Sequence, residues 1–173
     1  MNKSRTIAFC GVMTAFALIL SYLESLFPLP IGIPGIKLGL ANLVVFLMLY
    51  LVEWKSALAV NLIRILIAGF AFNGMYSLLY SLCGGMLSFL GMALLKKTGK
   101  FAPVTVSICG GVLHNIGKLL MAGLVLENAA VAVYSPVLLT AGVVCGALIG
   151  LLGEFLRDRI EHIIAGSGRS GLE

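Results

Sequence analysis

Long apolar stretches separated by short polar breaks make up most of this chain. They are rich in Leu, Ile and Ala and lack a strict alternation of apolar and polar positions, which favours helices over the strands of a membrane barrel. At about 1.5 Å per residue, most are long enough to cross the roughly 30 Å apolar core of a bilayer. The pattern predicts an all-α integral membrane protein, a six-transmembrane-helix bundle with helices at about 7–27, 38–52, 57–72, 75–95, 102–126 and 133–156.

Composition agrees with membrane insertion. The chain is 60% hydrophobic and 11% charged, with a mean hydropathy of +1.09, outside the usual balance of a soluble domain. We expect one membrane domain over 1–165, since the tail 166–173 has the Gly- and Ser-rich composition of a flexible linker. The second and third segments are short, so flanking residues should extend these helices, or the helices should lie beside a cavity or a thinned bilayer.

The distribution of basic residues predicts the topology. They lie between apolar segments rather than on one polar face, so membrane orientation explains the net charge of +5 better than nucleic-acid binding does. With the N-terminus in the cytoplasm, nine Lys and Arg residues fall inside and only Lys37 falls in an outer loop. The positive-inside rule therefore predicts a multi-pass protein of a cytoplasmic membrane with both termini inside.

Several kinds of chemistry are disfavoured by what the chain lacks. Its four cysteines lie in separate apolar segments and form no CxxC pair, so we interpret them as free thiols. Asp158 is the only aspartate, which excludes an Asp-rich magnesium and diphosphate motif or an Asp-paired catalytic triad in the membrane. With two histidines as well, we expect no metal, no cofactor and no catalytic site.

The first outer loop, Pro28–Lys37, contains three prolines and two glycines. Such a segment is bent, stiff and apolar rather than solvated, so it is either a lid over a site or a rigid linker. A second pattern places a glycine eight residues after a cysteine in three segments, at Cys83 and Gly91, at Cys109 and Gly117, and at Cys145 and Gly153. We interpret this as a packing seam for close helix contacts rather than as a duplicated unit.

Two cations, Arg64 and Lys118, interrupt otherwise apolar segments, where an ionisable group marks a functional site by default. Lys118 shares a helical face with His114 and two glycines and should point into the bundle, and Arg64 lies at about the same depth. Helix four has its own polar face, with serines and glycines. The candidate substrate-binding residues are Glu24, Asn42, Arg64, Tyr76, Tyr80, His114, Asn115 and Lys118.

Two interpretations of these cations remain open. Two cations against one carboxylate leave the chamber net positive, which favours an anionic ligand such as a carboxylate or phosphate. Alternatively, Glu24 forms a structural ion pair with one cation while the other is satisfied by backbone carbonyls or by snorkelling. For His114 an interhelical hydrogen bond, and for the two tyrosines a packing role, are the simpler interpretations.

Four stretches together resemble a known bacterial membrane family. They are Pro28-Leu-Pro-Ile-Gly-Ile-Pro-Gly-Ile-Lys-Leu-Gly-Leu-Ala-Asn42, Asn61-Leu-Ile-Arg-Ile-Leu66, Tyr80-Ser-Leu-Cys-Gly-Gly-Met-Leu87 and Leu113-His-Asn-Ile-Gly117. The family is labelled both "Gx transporter" and "heptaprenyl diphosphate synthase component I". It is similar to the S-components of energy-coupling factor (ECF) transporters, which implies six helices, cytoplasmic termini and a ligand site beneath the first outer loop.

The resemblance implies a substrate-binding subunit of an uptake transporter, served by a transmembrane coupling subunit and two ATPase subunits. Small residues on helix one would meet the coupling subunit, here Ala8, Gly11 and Ala15. The alternative is a membrane accessory subunit of heptaprenyl diphosphate synthase in menaquinone side-chain synthesis. A stand-alone secondary transporter is disfavoured by the small size, although a dimer would offset this.

Overall fold

Six α-helices account for almost all of the described chain. The structure, a computed structural model, describes residues 3–26, 39–126, 133 and 135–167, without the side chains of 72, 73, 126 and 161–167. A π-helical turn, Gly69–Asn73, joins the third helix directly to the fourth. The helices are α1 Lys3–Leu26, α2 Leu40–Leu51, α3 Trp54–Ala68, α4 Gly74–Thr98, α5 Pro103–Leu126 and α6 Ser135–Ser167. Every predicted segment corresponds to one of these helices.

The largest error in the predicted bounds is at the end of α6. Hydropathy placed that end near residue 156, but the helix continues to Ser167, into the tail that we had assigned to a linker. The added residues begin with a charged stretch, 157–159, and charged side chains are compatible with a helix that leaves the apolar layer. The length of an apolar segment indicates only the part of a helix that lies in the apolar layer of the membrane.

Five helical stretches are long and apolar enough to cross a membrane, which indicates a multi-pass membrane protein. They are Lys3–Leu26, Trp54–Ala71, Gly74–Thr98, Pro103–Val125 and Ser135–Ile160. α2 is the exception, because its 12 residues rise about 18 Å, little more than half of the apolar core. The sequence is right that a sixth helix exists, but α2 is shorter than the predicted 38–52.

α2 forms the centre of the bundle. Eight of its twelve residues are buried, and Val44, Phe46 and Met48 are completely inaccessible. A helix that is apolar on every face must be surrounded by lipid or by protein. Here it is surrounded by protein, since α2 packs against α1, α3, α4 and α6. The core that it shares with its neighbours comprises Ala17, Val44, Val45, Phe46, Met48, Leu49, Ala57, Val60, Phe89, Met92 and Val106.

Side chains of opposite charge hold the two ends of α2. At its N-terminus, the backbone N–H of Leu40 donates to Glu24 Oε1 of α1 at 2.7 Å. At its C-terminus, Lys96 Nζ of α4 donates to the carbonyl oxygen of Leu49, and the same ammonium lies 4.9 Å from the ring centre of Tyr50. A carboxylate at the N-terminus and a cation at the C-terminus both complement the helix dipole. The position of α2 along the bundle is therefore fixed at both ends.

Glycines set the spacing between α4, α5 and α6. A Cβ added at Gly117 of α5 would lie 2.7 Å from Gly84 Cα, and one at Gly111 would lie 2.3 Å from the Gly142 carbonyl oxygen. Backbones this close leave no room for a side chain. The glycines of the cysteine–glycine pattern lie in these packed regions, because Gly91 faces Leu113 and Gly153 faces Phe46. The contacts are those expected of a packing seam.

We expect Gly117→Ala to lower the free energy of unfolding by about 1–3 kcal/mol, because the new methyl overlaps the α4 backbone, which cannot move aside cheaply. Gly123→Ala on the same helix is the matched control, since a Cβ there meets nothing within 4 Å. It should be neutral or stabilising by up to about 1 kcal/mol, because alanine favours the helix. Unfolding in mixed micelles of mild detergent and sodium dodecyl sulfate measures both. Equal effects at the two positions would contradict the close crossing.

Candidate functional site

A polar cavity opens at the N-terminal end of α2, between α1, α3, α4 and α5. It contains about 30 Å³ of free space, room for about two or three water molecules. A ligand larger than a small ion would therefore need the walls to move apart. The cavity is lined by Ser21, Glu24, Gly39, Asn42, Arg64, Ile65, Ala68, Gly69, Ser81, His114 and Lys118. Five of the eight predicted binding residues are among them.

Arg64 is the most buried charge at this site, with 7% of its surface exposed. Its Nη2 donates to Asn42 Oδ1 of α2 at 2.8 Å and to Asn61 Oδ1 at 2.9 Å, and its Nε donates to the same Asn61 oxygen at 3.1 Å. Asn61 is held in turn, since its Nδ2 donates to the Gly85 carbonyl oxygen of α4 at 3.2 Å. The guanidinium is thus fixed in orientation by two neutral amides, neither of which carries a charge to balance it.

The remaining guanidinium nitrogen of Arg64, Nη1, is not bound by either asparagine. Among the described residues no hydrogen-bond partner is found for its two N–H groups, and the atom is not among the buried polar atoms. Since Arg64 lines the cavity, these two donors are available to whatever occupies it. Two N–H groups on one nitrogen of a planar cation can each donate to an oxygen of an anion.

Glu24 is the only carboxylate among the lining residues. Its position shows whether it forms an ion pair with Arg64, which was the alternative to ligand binding. Its Oε1 accepts the Leu40 N–H, so the carboxylate serves the N-terminus of α2. Glu24 and Arg64 line one cavity but form no ion pair with each other. The structural ion pair expected as an alternative is therefore absent between these two side chains.

His114 and Lys118 reach the cavity from α5 because Gly84 of α4 lies opposite them. A Cβ at Gly84 would lie 3.1 Å from His114 Nδ1 and 3.2 Å from Lys118 Cγ, so any larger residue would press on both side chains. His114 is buried, and its Nδ1 lies beside the Gly84 backbone without a hydrogen-bond partner. The Gly84 backbone of α4 is the nearest interhelical partner of the imidazole, in keeping with the interhelical contact considered for His114.

Three of the predicted binding residues lie elsewhere. Asn115 lines an adjoining small cavity, and its Nδ2 donates to the Leu138 carbonyl oxygen of α6 at 2.7 Å, which gives it a structural tie. Tyr76 is 69% exposed, and neither it nor Tyr80 lines the cavity. The next position along α4, Ser81, lines it instead, because one residue turns the helix by about 100°.

Two of the lining residues that were not predicted lie on helical faces that the sequence pattern indicates. Ser81 belongs to the polar face of helix four, and Ser21 lies one turn before Glu24 on α1. Asn61 shares a face with Arg64, but nothing in the spacing indicated that it would hold the guanidinium. Within the part of the chain that the structure describes, no group of three His, Cys, Asp or Glu side chains could hold a metal ion.

The predicted contact surface for a coupling subunit lies on α1. Ala8, Gly11 and Ala15 are all exposed, and a Cβ at Gly11 would meet nothing within 4 Å. The face is therefore unoccupied by the rest of the described chain. Its role as a contact for another subunit stays a prediction. The outer loop Pro28–Lys37, and with it the choice between lid and linker, lies outside the described residues.

We expect Asn61→Ala to lower the free energy of unfolding by about 2–4 kcal/mol, because a buried cation loses the acceptor of two hydrogen bonds. In an Arg64→Met background the same change should cost at least about 1.5 kcal/mol less, since no cation is left unsatisfied there. The lost bond to Gly85 cancels in this comparison. A double-mutant cycle in mixed micelles measures the coupling, and additive effects within about 0.5 kcal/mol would contradict the network.

Comparison with known proteins identifies the family. The family model described as heptaprenyl diphosphate synthase component I matches residues 13–156, which is most of the chain and includes every residue that lines the cavity. No curated protein and no solved structure matches the chain. The match agrees with the family that the four sequence stretches resemble. The chain therefore belongs to the heptaprenyl diphosphate synthase component I family.

Proposed function

We propose that this protein is the substrate-binding membrane subunit of an uptake system, similar to an ECF S-component, and that it captures a small anion. The observation that carries the proposal is the Arg64 guanidinium, buried and oriented by Asn42 and Asn61 with two N–H groups left for the cavity. Burying a charge in a membrane protein costs free energy. Neutral groups that orient the charge do not offset this cost as a counter-ion would.

The charges around the cavity favour the same ligand class. Arg64 and Lys118 contribute two positive charges and Glu24 contributes one negative charge, which leaves an excess of one positive charge when His114 is neutral. An oxygen anion such as a carboxylate or phosphate would balance this excess. Arg64 would donate to it from Nη1, and Lys118 would act as a more flexible point charge. Asn42 keeps the guanidinium aligned.

The proposed system needs other chains for energy. A transmembrane coupling subunit and two ATPase subunits would supply ATP hydrolysis in trans, and the exposed small-residue face of α1 is suited to close contact with another helix. The ligand would enter from the outer face of a bacterial cytoplasmic membrane, with both termini inside, as the distribution of Lys and Arg predicts. No cofactor and no nucleic acid takes part in this proposal.

The binding step can be tested without knowing the ligand. We expect native mass spectrometry of the detergent-purified protein to reveal a retained small organic anion or phosphate ester in the wild type. The double variant Arg64→Gln/Lys118→Met should lose it at least about tenfold, because two charge-assisted contacts are removed. Lys97→Met/Lys100→Met is the matched control, since it removes two exposed cations far from the cavity and should retain the anion.

Three results bear directly on this test. Retention by the wild type and by the exposed-lysine control, but not by the cavity variant, supports the proposal. A wild type that retains no anion from cell extract contradicts it. Equal retention by the cavity variant also contradicts it, since the bound anion would then lie at another site. Thermal unfolding of each variant in the same detergent verifies that it is folded.

A second candidate function follows from the family's description, which names a component of heptaprenyl diphosphate synthase. In that case the protein would be a noncatalytic membrane subunit, because the Asp-rich motif of a prenyl synthase is missing. It predicts copurification with a soluble synthase and product formation that requires both chains. Full heptaprenyl diphosphate synthesis in the absence of this chain would contradict this second function. Neither result bears on the proposed uptake of an anion.

A further inference from the structure

Two smaller cavities continue from the Arg64 cavity towards the middle of the bundle. The second, of about 20 Å³, shares Gly39, Asn42 and His114 with the first. The third, of about 10 Å³, shares Asn42 with both and is lined by Ser88, Met92, Ser107 and several glycines. Ser88 lies one helical turn beyond Gly84 on α4, about 6 Å further along the helix axis. Asn42 thus stands where all three cavities meet.

Ser88 carries an unexplained polar group at the inner end of this series. Its side chain is 2% exposed, and its Oγ has no hydrogen-bond partner. A helical serine commonly donates to the carbonyl oxygen one turn earlier, but here that bond is not made. Gly110 of α5 lies opposite, and a Cβ at that position would come within 3.2 Å of the hydroxyl oxygen. The same Cβ would lie 2.6 Å from Met92 Sδ, so the glycine leaves room for both the hydroxyl and the Met92 side chain.

We infer that the three cavities hold a chain of buried water molecules, which begins at Arg64 and ends at Ser88. The third cavity is large enough for about one water molecule, and buried polar groups without a protein partner are usually satisfied by such waters. Asn42, Ser88 and Ser107 supply polar groups around it. The third cavity, beside Ser88, binds a neutral molecule that can both donate and accept hydrogen bonds. The anion-binding cavity is therefore continued by water into the centre of the bundle.

The charges near the inner site favour water over a metal cation. No carboxylate lines the second or third cavity among the described residues, and the ionised groups of the first cavity, Arg64, Lys118 and Glu24, sum to one positive charge when His114 is neutral. A sodium ion would therefore meet neutral oxygens and net repulsion. The inference does not depend on the proposed transport function, because it concerns the protein with no ligand bound.

Two methionines of the core provide an internal comparison. Met92 lines the third cavity and is 3% exposed, whereas Met48 lies in the centre of α2 with no exposure and lines none of the three cavities. Hydroxyl radicals generated from water by an X-ray pulse oxidise methionine sulfur where water is adjacent. We expect Met92 to be oxidised at least about threefold faster than Met48 in ligand-free protein, despite their similar burial.

Variants at Ser88 identify the source of the oxidation. Ser88→Val, which fills the third cavity and removes the hydroxyl, should bring the Met92 rate down to that of Met48. Ser88→Ala, which removes the hydroxyl with little change in bulk, should lower the Met92 rate at least about twofold because the water loses a partner. Ser77→Ala, on the same helix but lining none of the three cavities, is the control and should leave the Met92 rate unchanged.

Equal slow oxidation of Met92 and Met48 in the wild type would overturn the inference, since the inner cavity would then be dry. An unchanged Met92 rate in folded Ser88→Val protein would overturn it as well. Replacing sodium chloride by choline chloride should have no effect. A faster Met92 rate without sodium would assign the inner cavity to a cation instead of water.

Discussion

The hydrogen bonds of Arg64 are the interactions on which the site depends. One guanidinium on α3 is bound to Asn42 of α2 and to Asn61, and Asn61 is bound to the Gly85 carbonyl oxygen of α4. Three helices are therefore linked through one buried charge. Because both acceptors are neutral amides, the network fixes the orientation of the guanidinium without cancelling its charge. The protein gains a rigid cation whose remaining donors face a polar cavity.

The short central helix explains why the cavity exists where it does. α2 rises about 18 Å, so the neighbouring long helices extend beyond its N-terminus and enclose space there. Glu24 at one end and Lys96 at the other fix its height. This gives Glu24 a structural role within the site, and it forms no ion pair with Arg64. The length of one helix and the position of its caps thus set both the volume and the charge of the cavity.

Much of the fold was predictable because apolar length and small-residue spacing report directly on membrane helices. The inward placement of Arg64 and Lys118 followed from the same reasoning, since a charge in an apolar segment must avoid lipid. The partners of these charges were not predictable. Helical faces indicate direction but not distance, so the role of Asn61 as acceptor and of Glu24 as a cap required the packed structure. Tyr76 was predicted as an aromatic wall of the site from helix four, but its side chain is exposed and does not line the cavity.

The central claim is that the Arg64 cavity binds an anion, and anomalous scattering from bromide tests it most directly. Bromide is small enough to fit without moving the walls and is visible in crystals without knowledge of the natural ligand. We predict a strong anomalous peak within contact distance of Arg64 Nη1, on the side of the cavity lined by His114 and Lys118. Bromide bound at exposed cations such as Lys97 while the cavity stays empty would contradict the account.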